Sequence, residues 1–300
     1  MQQDQDDSQP DEPDAPAGPV VFVLSAGASL GAVQVGMLQA LVDRGIMPDL
    51  ILGSSVGAIN GAALAENPTA SGIERMAHLW RTAAARQLMP RGLWHTMALA
   101  RRSEAVQAND RVYRFLQRSL SVTTFDQLKL PFQCVATDVA LEAEAWFDRG
   151  PLLDAVLASS AMPAIFPSVE IDGSRYLDGA IVNDVPIRRA VELGARTVYV
   201  LEVGLLSRTW REPKRPMGTA IQAYWIARRH RYKQELAAVP ADVRIHLLPD
   251  GAPEPQRFHD FGQTRALIDG ARTATAAYLD GLVEAAATAP AVGAGGVSRR

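Results

Sequence analysis

Strand-length apolar runs alternate with helix-length stretches along most of this chain, and that alternation restricts its fold more than any other feature. "VVFVLS" (20–25) is short, apolar and β-branched, as a buried strand requires. Val33, Val35, Leu38, Leu41 and Val42 then give residues 32–44 one apolar helical face, and Gly45 stops the helix. "DLILG" (49–53) predicts a second buried strand, and the small residues of 58–67 a helix that packs closely on a sheet. Residues 70–120 read as helical, with breaks at Pro90 and Gly92. Further strands are expected over 131–139, 197–203 and 243–248, and helices over 151–161, 186–195, 215–238 and 261–286. The helix at 151 starts on a proline, and 169–180 reads as a hairpin turning at Asp172-Gly173. Strands joined through helices make a largely parallel sheet covered on both faces. The expected architecture is one α/β domain over 19–287, a central mostly parallel sheet flanked by helices, with 70–120 as a helical insertion.

Composition narrows the class. Of the 300 residues, 48% are hydrophobic and 21% charged, which suits a soluble globular protein with a sizeable core. A net charge of -3 gives no reason to expect nucleic acid as a partner. The single cysteine, Cys134, lies in an apolar run and reads as core; it excludes a disulfide framework and points to a reducing, cytoplasmic compartment. Residues 1–18 are acidic and proline-rich, so they are expected to be disordered, and they lack the basic start and apolar stretch of a signal peptide. The tail over 288–300 is expected to be equally unstructured. No apolar run is long enough to span a bilayer. The basic residues are almost all arginine, with lysine only at 129, 214 and 233; beside so much alanine, this suggests a GC-rich bacterial genome.

Three stretches carry chemistry. The second strand ends in Gly53-Ser54-Ser55-Val56-Gly57, a G-x-S-x-G pattern. A serine on so tight a strand-to-helix turn projects its hydroxyl from the sheet edge, and the glycines let the turn close. The helix that follows aims its positive end at the same place. The loop "SAGASLG" (25–31), between the first strand and its helix, supplies backbone N–H groups for an oxyanion. It does not fit a dinucleotide: Ala26 and Ala28 stand where that fingerprint needs glycine. The third stretch, "YLDGA", places Asp178 before Gly179 and Ala180. By itself it reads as a turn.

Taken together and in this order, the three stations resemble those of the patatin-like phospholipase family. The resemblance rests on Ala26 to Gly31, Gly53 to Gly57 and Asp178 to Ala180, and on the flanks "GAVQVGMLQAL" and "ASSAMPAIFPSVEIDGSRYLDGAIVNDVPIRRAVELGA". It implies a serine lipid acyl hydrolase that cleaves lipid or phospholipid carboxylic esters through an acyl-enzyme, without metal or cofactor. Ser55 would be the nucleophile, Asp178 its base, and Gly27 and Ala28 the oxyanion donors, with Ala26, Gly31, Gly53, Gly57 and Gly179 in support. The sequence departs from the family at two points. Alanine replaces glycine at 26 and 28, costing about 1 kcal/mol wherever a positive φ is needed. Leu30 stands where the family has a basic residue.

Two rivals stay open. One is an α/β-hydrolase esterase with a Ser–Asp–His triad, for which His259 falls suitably late in the chain. The other is a catalytically weak lipid-binding or regulatory member of the family. The arginine-rich stretch 207–233, with Trp210, Tyr224 and Trp225, reads as a solvated helix face with aromatic packing; peripheral contact with an anionic membrane is its alternative. Asn183 and Asp184 are expected to hold loops, and Asp138 and Glu142 to be solvated. His78, His95, His230 and His246 show no metal-ligand spacing.

Overall fold

The computed structural model describes residues 18–82, 102–163, 165–204, 213, 216–251 and 261–288. The expectations for residues 1–17, Pro90, Gly92, Trp210, His259 and 289–300 lie outside them.

Eight described strands form one sheet: β1 (Val20–Leu24), β2 (Leu50–Ser54), β3 (Phe132–Asp138), β4 (Ala143–Phe147), β5 (Val169–Ile171), β6 (Ser174–Asp178), β7 (Thr197–Leu201) and β8 (Arg244–Leu247). The expected parallel sheet is present as β3-β2-β1-β7-β8, every neighbour parallel. At its β3 end the sheet turns antiparallel, where β4 and the β5–β6 hairpin join. The sheet is therefore mixed. The hairpin turns at Asp172 and Gly173, both at positive φ, as its sequence suggests.

Successive residues of β1 point to opposite faces, and both faces are covered. Phe22 and Leu24 enter one core, and Val21 and Val23 the other. Helices α1 (Gly31–Val42), α2 (Val56–Glu66), α3 (Ala70–Arg81), α4 (Arg102–Ser119), α5 (Leu152–Ser159) and α8 (Thr264–Thr288) supply the first core. Helices α6 (Ile187–Glu192) and α7 (Pro216–Ala237) supply the second. Residues expected to form one apolar face of α1 belong to a helix buried nearly all round, Gln34 included. It packs between the sheet side and α8, and Gly36 permits the approach: a Cβ there would stand 2.1 Å from the Ile268 carbonyl oxygen.

Asp138 corrects an expectation. It is buried, and its carboxylate accepts the N–H groups of Ala140 and Leu141 at 2.9 Å. It thereby caps the β3–β4 turn, whereas Glu142 is exposed.

Strand order reverses between β1 and β7, so a crevice opens at their C-terminal ends. The first βα turn singled out in the sequence leaves β1 at that point, and the second leaves the neighbouring β2 at the same edge of the sheet.

Candidate active site

Ser55 lies between the last residue of β2 and the first of α2, with φ 55° and ψ -120°. This conformation is costly for a residue with a Cβ, and it marks a strained nucleophile-type turn. Packing enforces it. A Cβ on Gly57 would stand 2.2 Å from the Leu24 carbonyl oxygen, and one on Gly53 would stand 2.5 Å from that of Gly57. Two serines at the end of α5 hold the peptide groups. Ser159 Oγ accepts the Ser55 N–H at 3.0 Å, and Ser160 Oγ donates to the Ser55 carbonyl at 3.2 Å. Neither serine was identified from the sequence, although the "ASSA" run of hydroxyls at a helix end was the available signal.

The approach of Asp178 follows from strand register. Cys134 and Val135 of β3 pair with both β2 and β4, and Ala136 pairs with both β4 and β6. So β2 and β6 share one edge of β3 and run toward each other. Ser54 lies opposite Val135 and Asp178 opposite Ala136, so the two strand ends meet head to head. Ser55 Oγ donates to Asp178 Oδ2 at 2.6 Å, and the Ala180 N–H donates to Oδ1 at 2.9 Å. Thr137 Oγ1 fixes the Asp178 carbonyl at 2.7 Å. Asp178 is only 1% exposed. Burial pushes its carboxyl from 3.8 up to about 6, against the downward pull of Ser55, the Ala180 N–H and Arg228; the neighbouring Asp184 adds to the rise.

The loop 25–31 is anchored by the Ser25 N–H on the Leu201 carbonyl and the Ala26 N–H on that of Asp184. Gly27 and Ala28 then enter a short 3-10 turn, where N–H groups lack an intrahelical acceptor. Val56 opens α2 in the same situation. Ala28, Ser55 and Val56 line one cleft, together with Ile59, Trp80, Met162 and Phe261. Trp80 and Phe261 stack there, with centroids 6.2 Å apart. The cleft is apolar apart from Ser55 and Ser160. Among the described residues, no cluster of His, Cys, Asp or Glu is arranged to hold a metal ion.

The two family departures have different consequences. Of the alanines, only Ala28 takes a positive φ, 51°. Ala28→Gly is therefore expected to stabilise the protein by about 1 kcal/mol, read as a higher denaturant midpoint at unchanged slope. A midpoint that falls would show that the loop does not carry this strain. Leu30 is 7% exposed and belongs to the main core, so an arginine there would be buried.

Two polar residues missed in the sequence bind the loop to the cleft wall. Gln34 Nε2 donates to the carbonyls of Ser25 and Leu201, at 2.8 and 3.1 Å. Asn60 Nδ2 donates to Gly31 O and Gln34 Oε1, and Asn60 Oδ1 accepts the Trp80 indole N–H at 2.9 Å. Both amides are fully buried, so each loses the desolvation penalty of its groups only through these bonds. An amide set among apolar helix residues, Gln34 in α1 and Asn60 in α2, was the available signal.

Asp184 holds its loop as expected, through Ala26 and a buried ion pair with Arg228. That pair corrects the reading of 207–233 as a solvated face: α7 turns Trp225, Arg228 and Tyr232 inward.

The patatin-like phospholipase family model matches residues 22–191, which hold all three motifs. An uncharacterized NTE family protein of Mycobacterium tuberculosis is 28% identical over 222 residues, covering 74% of this chain and 58% of that protein. Human patatin-like phospholipase domain-containing protein 6 is 27% identical over 209 residues, 69% of this chain and 15% of that one. The chain thus matches little more than half the length of the mycobacterial relative. Among solved structures, VipD from Legionella pneumophila superposes with a TM-score of 0.46 at 13% identity, over 89% of this chain and 67% of that one. With the family model covering more than half of its length, the chain belongs to the patatin-like phospholipase family.

Proposed function

We propose that this protein is a serine hydrolase of lipid carboxylic esters, phospholipids included, working through a Ser55–Asp178 dyad. The observation that carries the reading is the 2.6 Å hydrogen bond from Ser55 Oγ to a buried carboxylate, at the edge of an apolar cleft. Asp178 accepts the serine proton as Oγ attacks the ester carbonyl. The N–H groups of Gly27 and Ala28, and that of Val56, serve the tetrahedral oxyanion. The C–O bond to the alcohol then breaks, and Asp178 returns the proton to the leaving oxygen. Water, deprotonated by Asp178, releases the acid from Ser55 by the same path reversed. A raised pKa makes Asp178 a stronger base than a solvated carboxylate while leaving it ionised at neutral pH.

The direct contact between serine and aspartate supports a dyad over a triad, because an imidazole between them would hold them farther apart. The apolar cleft wall supports an acyl chain as the group held beside Ser55. No described helix is long and apolar enough to cross a membrane. Substrate of this class is met at a lipid surface, so the reading includes peripheral contact with membranes from the cytoplasm.

A fluorophosphonate probe tests the reading. One adduct per chain is expected, on the peptide containing Ser55, together with release of fatty acid from a lipid extract. Absence of both would overturn it.

A further inference from the structure

Helix α7 meets the loop that follows Asp178 from the opposite face of the sheet. Its Trp225 and Tyr232 pack in the second core, whereas the cleft residues Val56, Ile59 and Trp80 belong to the first. From that face Arg228, only 5% exposed, places a guanidinium against the Asp184 carboxylate. Its charge sits 4.3 Å from the Trp225 ring centroid and 5.3 Å from that of Tyr224. One turn further on, Arg231 Nη1 donates to the carbonyls of Ile181 and Val182. The loop joining Asp178 to Asp184 is thus held from behind by two arginines.

This loop carries two buried carboxylates a few residues apart. Like charges in a desolvated space cannot both ionise without a compensating cation. We propose that Arg228 is a positioning residue that keeps Asp178 ionised, by neutralising Asp184 and setting a positive charge behind the dyad. The inference rests on Asp178 being the base for Ser55.

Among the described residues, the groups acting on Asp178 come from every side. Ser55 faces it from the start of α2, and the Ala180 N–H from its own turn. Asp184 acts from the same loop and Arg228 from α7, where burial and the charges of Asp178 and Asp184 in turn hold the Tyr224 phenol protonated. Arg231 bears on Asp184 in turn. Arg228 thus acts as a cation on both carboxylates, and a change at either partner shifts the balance in a known direction. Lysine would not reproduce the arrangement, since the planar guanidinium packs on Trp225 while meeting the carboxylate.

The test is the rate of fluorophosphonate labelling at Ser55 as a function of pH, in the full chain. Arg228→Met removes the cation paired with Asp184 and leaves only the more distant Arg231 to offset it, so the acidic limb should move up by about one pH unit or more, with most of the rate recovered at high pH. Asp184→Asn leaves Arg228 facing Asp178 alone, so the limb should move down. The double variant removes both charges and should return near the wild-type position. A purely structural role would lower the rate at all pH values and would not produce shifts of opposite sign. Limbs unmoved in folded Arg228→Met and Asp184→Asn would overturn the inference. If Arg228→Met fails to fold, Asp184→Asn and the double variant decide it: an unmoved or raised limb in Asp184→Asn overturns the inference. No labelling of wild-type Ser55 would overturn the dyad itself, whereas normal labelling with unmoved limbs overturns only the role of Arg228.

Discussion

Ser55→Ala is expected to lower kcat/KM for a p-nitrophenyl ester by a factor on the order of 10^4 to 10^6 and to remove fluorophosphonate labelling. The neighbouring Ser54 offers no substitute, because its hydroxyl is turned into the protein and donates to the Asn183 carbonyl at 2.9 Å. The fold should survive, since alanine keeps the Cβ and the backbone contacts to Ser159 and Ser160. Ser55→Gly separates strain from chemistry. It is equally inactive, but glycine accepts φ 55° and ψ -120° freely, so it should unfold later than Ser55→Ala by an amount near 1–3 kcal/mol. Turnover retained in Ser55→Ala, with the probe on Ser54, would refute the nucleophile. Equal stability of the two variants would refute the strain.

The parts legible in the sequence were those that depend on local conformation. A strand, a glycine-bounded turn and a helix leave a pattern in consecutive residues, so Ser55 and Asp178 could each be placed on the correct turn. Their meeting could not be read, because it depends on β2 and β6 abutting along one edge of β3. Strand β4 was missed for a related reason. "AEAWF" carries two alanines and a glutamate, poor strand formers, and is held in place by pairing with β3. Gln34, Asn60, Ser159 and Arg228 were missed because a polar residue reveals its burial only through partners distant in the chain. In α7 a trace was visible: Trp225, Arg228 and Tyr232, spaced by three and four, share one helical face. That spacing shows that the arginine is flanked by aromatics, but only the structure shows the aspartate it meets.

Asp178→Asn is expected to lower kcat/KM by about 10^2 to 10^4, the range for removal of a general base. Asparagine keeps the shape and an acceptor for the Ala180 N–H, so a loss of activity would report the lost carboxylate. The wild-type pH profile should agree. Activity needs the ionised form, so with the carboxyl raised to about 6, kcat/KM should hold above that pH and fall tenfold per unit below it. Stability runs the other way. The folded-state pKa exceeds the unfolded value, so folding opposes ionisation: the cost is absent below about 4, grows as pH rises, and is complete above about 6. Asp178→Asn, which carries no charge, should therefore melt later than wild type at pH 7 and lose that advantage as the pH approaches 4. A limb near 6 overlaps the ordinary range of histidine, so the profile alone does not separate dyad from triad. His259→Ala does. With Asp178 already on the serine hydroxyl, a folded His259→Ala variant should keep most of its activity. Its collapse would move the proton to an imidazole, leave Asp178 to orient that ring, and require the contact between Ser55 and Asp178 to open in the working enzyme.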